Sequence, residues 1–159
     1  MLRSFLIGLV AGQRGITPLA SIGVATYRGE VADNLPLQKL FHNPIVTAGA
    51  VAFAAAELAG DKMKSAPDRT IPIGLGVRAI TAAYAGAALA PRGQQVTGAA
   101  VAVAAAMVSS YIGLSMRKAT MAKVGQTPSG LVEDALVVGS GLAIANPSLV
   151  EGSPLEVRH

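Results

Sequence analysis

Gly12-Gln13-Arg14-Gly15-Ile16-Thr17-Pro18 lies in the middle of an apolar run from Phe5 to Tyr27. A related stretch, Gly76-Val77-Arg78-Ala79-Ile80-Thr81, lies inside a second apolar run from Ile71 to Ala90. Each run approaches the roughly 20 residues a helix needs to cross a bilayer, and each sets one arginine near its centre. A guanidinium there costs about 2.5–3.5 kcal/mol on insertion scales unless it is paired or hydrated. Pro18 adds a backbone problem, because it lacks a donor and blocks the helical bond to the Arg14 carbonyl. Gly12 and Gly15 loosen the same turn. The sequence therefore predicts a first helix over residues 4–27 that is kinked or broken between Arg14 and Pro18, its freed backbone groups satisfied inside the protein.

Composition sets this reading in context. The chain is 52% hydrophobic and only 14% charged, with a mean hydropathy of +0.50. Soluble domains average about 25% charged residues, so the shortage of charge points to lipid or to a very buried chain. The absence of cysteine excludes disulfides and thiolate metal sites. His42 and His159 lie far apart in sequence and lack a metal-ligand spacing, so no metal or other cofactor is expected. The net charge of +4 is spread over short loops, a topology signal and not a nucleic-acid footprint. Met1–Gly12 has the outline of a signal peptide and is read instead as the first half of a transmembrane helix.

The rest of the chain divides at polar and proline-containing segments. Leu35, Leu37, Leu40 and Phe41 have the spacing of a short surface helix within the connection from Arg28 to Asn43. Asn43 and Pro44 open a second helix over 44–60, almost all small residues. A third spans 72–90, with Ala82, Gly86 and Ala90 in a small-residue stripe. A fourth spans 95–116, inside a stretch of 24 residues without charge between Arg92 and Arg117. A fifth spans 128–145 and stops at Asn146-Pro147. The expected fold class is all-α, a polytopic membrane bundle of about five helices over 1–147 with an exposed tail over 148–159.

Five simple spans place seven basic residues on the side of Arg3 and four on the side of Arg28. The positive-inside rule then puts the N-terminus in the cytoplasm and the C-terminus outside. Gly12, Arg14, Ile16 and Thr17 recur 64 positions later as Gly76, Arg78, Ile80 and Thr81, which suggests an internal repeat. The small-residue helices 44–60 and 95–116 are expected to pack closely with each other or across a subunit boundary.

Three motifs together resemble a family of small, alanine-rich bacterial inner-membrane proteins known as a domain of unknown function. They are Gly12-x-Arg14-x-x-Thr17-Pro18, then Glu57-Leu58-x-Gly60-Asp61-Lys62 with Pro67-x-Arg69-Thr70, then Leu131-x-Glu133-Asp134-Ala135-Leu136. The resemblance covers about Phe5 to Ala145 and implies a helical protein of the bacterial inner membrane, with no assigned activity and no catalytic residues. Where the family has phenylalanine after the first arginine, this chain has Gly15, with Ala79 in the second copy.

The candidate polar centre comprises Arg14, Thr17, Glu57, Asp61, Arg78, Thr81, Glu133 and Asp134. Charged groups inside spans mark ion or solute paths in transporters and channels, and the same groups lock helices together by pairing. The first reading makes the chain a channel or transporter for an ion or small solute. The alternative is a structural or accessory subunit of a larger membrane complex. Nothing assembles a nucleophile with a base, a metal cluster or a phosphate-cradling loop, so an enzyme is not expected. The partners expected are the lipid bilayer and either further copies of the chain or other subunits.

Overall fold

A backbone turn at Arg14–Ile16 sets the path of the chain. The structure, a computed structural model, describes residues 1–33, 35–60, 72–124, 126–146 and 148, with residues 117, 118, 120–124 and 126–129 described by backbone alone. The described elements are all helical: α1 (Leu2–Gln13), α2 (Thr17–Tyr27), a short 3-10 helix (Gln38–His42), α3 (Pro44–Gly60), α4 (Pro72–Ala88), α5 (Gln95–Val124) and α6 (Gln126–Ala145).

The expected first helix is thus two half-helices. Arg14 takes an extended conformation, φ −139° and ψ 120°, which ends α1. Pro18 falls in the first turn of α2, where its missing donor has no helical partner to lose. The second copy carries Ala82 where the first has Pro18, and there α4 runs unbroken through Arg78 and Thr81. The recurring residues therefore sit on different backbones.

The chain turns back at this break. Arg3, at the start of α1, donates from Nε and Nη2 to the carbonyls of Ile144 and Ala145 at the end of α6, at 2.9 and 3.0 Å. Those cationic donors meet carbonyls that a helix end leaves without partners. Ile7 and Val10 of α1 share one core cluster with Ile22 and Ala25 of α2, with Ala85 and Ala88 of α4 and with Leu89 just after it. Glu30, just past the end of α2, binds Ser148, just past the same end of α6 that Arg3 meets, so α2 runs back beside α1. The half-helices form a re-entrant hairpin, each about 17–18 Å long at 1.5 Å per residue.

This corrects the arrangement of five simple spans, because the N-terminal end of α1 and the C-terminal end of α6 lie together. Other boundaries move less. The third helix stops at Ala88 instead of residue 90, the fourth continues past Met116 to Val124, and the fifth starts at Gln126. In the expected surface segment, Gln38 and Phe41 are buried while Leu37 and Leu40 are exposed. In the expected exposed tail, Ser148 is held by Glu30 through both its amide and its hydroxyl, and 149–159 lie outside the described residues.

Small residues bring α1, α4 and α5 together. A Cβ added at Gly8 would overlap the Ala102 backbone, and one at Gly86 would overlap the Ala102 side chain. Ser4 Oγ donates to the Gly86 carbonyl at 2.9 Å across the same contact. Ala82, Ala102 and Ala106 are fully buried here with Ala11. Within the chain the second and fourth helices do not pack on each other, the first of the two alternatives expected: α3 packs on α2 and the 3-10 helix, and α5 on α1 and α4. Small side chains face every direction on both helices, so their sequences do not select the partner.

Two outcomes follow from these contacts. Ala102→Leu should cost about 1–3 kcal/mol through overpacking, lowering the thermal unfolding midpoint, while Ala52→Leu, on the exposed side of α3, should leave it unchanged. Equal midpoints for the two variants would contradict the packing described. At the Arg3 end, burial pushes the Glu30 carboxyl up. Hydrogen bonds from the Ser148 hydroxyl, Arg28 and the Ser148 amide outweigh it and leave Glu30 below its ordinary value of 4.5. A lowered folded value stabilises the protein above the unfolded value and is lost as pH falls through the folded one. Glu30→Gln should therefore be less stable than wild type at neutral pH, the gap closing in thermal melts taken below about pH 4. A gap that persists into strong acid would rule out the carboxylate as its source.

Candidate functional site at the helix break

A helix end leaves four backbone groups without intrahelical partners, and this chain has two such ends facing one turn. The α1 end presents carbonyls. Ser109 Oγ of α5 donates to the Leu9 carbonyl at 2.8 Å, and Ser110 Oγ donates to the Gly12 carbonyl at 3.1 Å and to the Ala106 carbonyl at 2.8 Å. Gln13 Nε2 donates in turn to Ser109 O and Oγ at 3.0 and 2.9 Å.

The α2 end presents amides, and a full charge meets them. Gly15 N–H donates to Glu57 Oε1 at 2.6 Å and Ile16 N–H donates to Glu57 Oε2 at 2.8 Å. A carboxylate is well matched to this position, because the head of a helix carries a partial positive charge of about half a unit. Glu57 stands one turn before the end of α3 at Gly60 and is half-buried.

Arg14 occupies the turn itself and is 1% exposed. Its Nε donates to Asp134 Oδ1 of α6 at 3.0 Å, and its Nη2 donates to the same oxygen. Arg78 of α4 is also buried, and its Cγ would lie 3.5 Å from a Cβ placed on Gly15. The same Cβ would lie 3.2 Å from Glu57 Oε1. A side chain at position 15 would push the Glu57 carboxylate by a few tenths of an ångström and lie in ordinary contact with Arg78.

Thr17 opens α2 and is 3% exposed, its Oγ1 without a hydrogen-bond partner among the described residues. Its methyl group faces Gly141 of α6, where an added Cβ would meet it at 3.6 Å.

The structure thus gathers Arg14, Thr17, Glu57, Arg78 and Asp134 from four helices onto one turn. Glu133 is half-buried on the residue before Asp134. Thr81 is buried but spends its hydroxyl on its own helix, donating toward the Val77 and Arg78 carbonyls at 3.0 and 3.2 Å. Asp61 lies outside the described residues. The sequence reading missed Ser109 and Ser110, and the amides of Gly15 and Ile16. The serine pair interrupts an otherwise apolar stretch at Ser109-Ser110, and that was the available signal. Among the described residues no cluster of histidine, aspartate and glutamate is arranged to hold a metal.

No family model, curated protein or solved structure matches the chain.

Arg14→Leu leaves Asp134 buried without its cation and should destabilise the protein by about 3–5 kcal/mol, because removing one partner of a buried pair strands the other charge. Adding Asp134→Leu should recover most of that loss. Thermal or denaturant unfolding of the two single variants and the double variant gives the coupling. Additive losses would mean that the pair does not hold α6 to the break.

Proposed function

We propose that the chain is a small polytopic membrane protein of the bacterial inner membrane, and that the charged turn between α1 and α2 passes an ion or small solute. The observation that carries this reading is the re-entrant hairpin: two half-helices whose facing ends meet charged side chains from α3 and α6 inside the molecule. Irregular backbone is tolerated at membrane depth where protein buries it, and transporters use such half-helix ends to hold charged substrates.

The surface supports the membrane setting. On α3 only Thr47 and Ala54 are buried, while Ile45 and Phe53 are more than 70% exposed. Val96, Ile73 and Ile80 on α5 and α4 are equally open. A helix apolar on all sides and uncovered on most of them suits lipid, or lipid together with further copies of the chain. Among the described residues α5 alone, over Gln95–Met116, is long and apolar enough to cross a membrane unaided. Half-helices of 12 and 11 residues fail that length test because they enter and return. With Arg3 moved to the side of Arg28, Lys39, Arg92 and Arg158, the basic count becomes six against five. Charge then no longer favours a cytoplasmic N-terminus.

The second reading, a structural lock in an accessory subunit, has its own support. The α1 carbonyls, the α2 amides and Arg14 already have partners, and the two cavities beside the break are lined mainly by apolar side chains.

Cysteines introduced one at a time at Leu2, Gln94 and Ser148 should all be labelled from one face of a sealed vesicle, and one at Ser65 from the other. Labelling of Leu2 and Ser148 from opposite faces would exclude the hairpin. In liposomes, the wild-type protein should carry flux of at least one species in a panel of protons, potassium, chloride and formate. The Arg14→Leu/Asp134→Leu variant should fold without it. A wild-type protein that is inert toward the whole panel favours the lock.

A further inference from the structure

The 3-10 helix Gln38–His42 has a buried side and an open side. Gln38 is fully buried, and its Nε2 donates to the Thr26 hydroxyl at 3.2 Å and to the Ala32 carbonyl at 2.9 Å. Phe41 packs on Gly23 of α2, where an added Cβ would lie 2.9 Å from its ring. Thr47 Oγ1 donates to the Phe41 carbonyl at 2.7 Å and ties the segment to α3. On the open side stand Leu37 and Leu40, 69% and 53% exposed, with Lys39 exposed between them. Leu37 is the one non-glycine residue with positive φ among those described, at φ 69° and ψ −13°. That backbone crowds a Cβ and favours glycine or asparagine. A leucine there adds strain without burying its side chain in the chain, which points to a contact outside it.

The charges at this end of the molecule have a sign. Glu30 is held by Arg28 and Ser148, and Asp33 faces His42 at 2.9 Å. The α4–α5 connection, with Arg92, lies at the same end, because Gly86 before it and Gly98 after it both pack on Ser4. Lys39 and Arg92 are exposed and meet no carboxylate among the described residues. Tyr27, the last residue of α2, is exposed beside them. Open leucines with uncompensated positive charge and a tyrosine are the residues found where acyl chains meet anionic headgroups.

We propose that the open face of Leu37–Leu40 docks in the interfacial layer of a bilayer, its leucines among the upper acyl carbons and Lys39 on the headgroup of an anionic phospholipid. The lysine stem lies with the leucines while its ammonium reaches outward. An ammonium is a point charge, so it selects the lipid by charge and not by headgroup shape. This docking presupposes the membrane setting proposed above and adds the lipid class and the residues that select it.

The chain has no tryptophan, so a single introduced one reports its own surroundings. Leu40→Trp is reconstituted as the full chain in equimolar phosphatidylcholine and phosphatidylglycerol, with bromine on the acyl chains of one lipid or the other. Brominated phosphatidylglycerol should quench its fluorescence more than brominated phosphatidylcholine, corresponding to about a fivefold preference for the anionic lipid. Lys39→Gln in the same background should make the two lipids equal. Should Leu40→Trp fail to fold, Leu37→Trp is read the same way. Equal quenching by the two lipids with Lys39 present overturns the proposal. So does a tryptophan open to aqueous iodide and untouched by bromine, or one shielded from both, which would mean that a second copy covers the face. Phe53→Trp, on the open surface of α3, separates this from the membrane setting. If bromine on either lipid quenches Phe53→Trp while Leu40→Trp faces water, only the docking falls; if neither lipid reaches Phe53→Trp, the membrane setting falls with it.

Discussion

Three of the helices that pack on the break answer one of its open backbone or charged groups. In an apolar interior an unpaired amide or carbonyl costs several kcal/mol, so a broken helix persists only where other elements supply donors and acceptors. Here the supply is divided by chemistry. Hydroxyls of Ser109 and Ser110 on α5 serve the carbonyl end of α1. The carboxylate of Glu57 on α3 serves the amide end of α2. Asp134 on α6 serves the guanidinium that stands between them. Three helices distant in sequence are thereby fixed against three residues of turn.

The small-residue packing and the polar satisfaction depend on each other. A serine hydroxyl reaches a neighbouring helix's carbonyl only when the two axes are close. At Gly12 an added Cβ would sit 2.5 Å from the Ala106 carbonyl oxygen and 2.6 Å from Ser109 Cβ, so the approach that lets Ser109 reach Leu9 also excludes any side chain at 12. Gly98 and Gly86 play the same part at the other end, beside the Ser4 hydroxyl bond. Close packing and interhelical hydrogen bonds together hold α1, α4 and α5.

Much of the break was legible in residues 12–18, and its consequences were not. Pro18 and the two flanking glycines specify a backbone interruption whatever surrounds it. The direction taken afterwards depends on tertiary contacts such as Glu30 with Ser148, and no local pattern encodes those. Arg14 was readable as buried because lipid exposure would be costly. Its bond to Asp134 was not, since α6 has apolar residues on every face and its sequence does not mark the side that meets the break. The partner of α5 within the chain was not legible for a similar reason: alanine and glycine surround the whole helix, so no stripe distinguishes the side that meets α1. Ser109 and Ser110 escaped notice because serine within a helix commonly bonds its own preceding turn, as Ser110 does to Ala106 in addition to Gly12.

The charges at the turn come from separate elements. The buried charged residues among those described are Arg14, Arg78 and Asp134, and Glu133 and Glu57 are half-buried. The α2 head adds partial positive charge, and the matching negative end of α1 is quenched by two serine donors and Gln13. Glu57 is the member held only through backbone amides in the described bonds, whereas Asp134 is tied to a guanidinium that itself sits 1% exposed. Withdrawal of Asp134 would strand Arg14 in the interior. Withdrawal of Glu57 would instead take the acceptor from the Gly15 and Ile16 amides, so the two carboxylates hold the turn by different means, one answering a side-chain charge and the other a helix head.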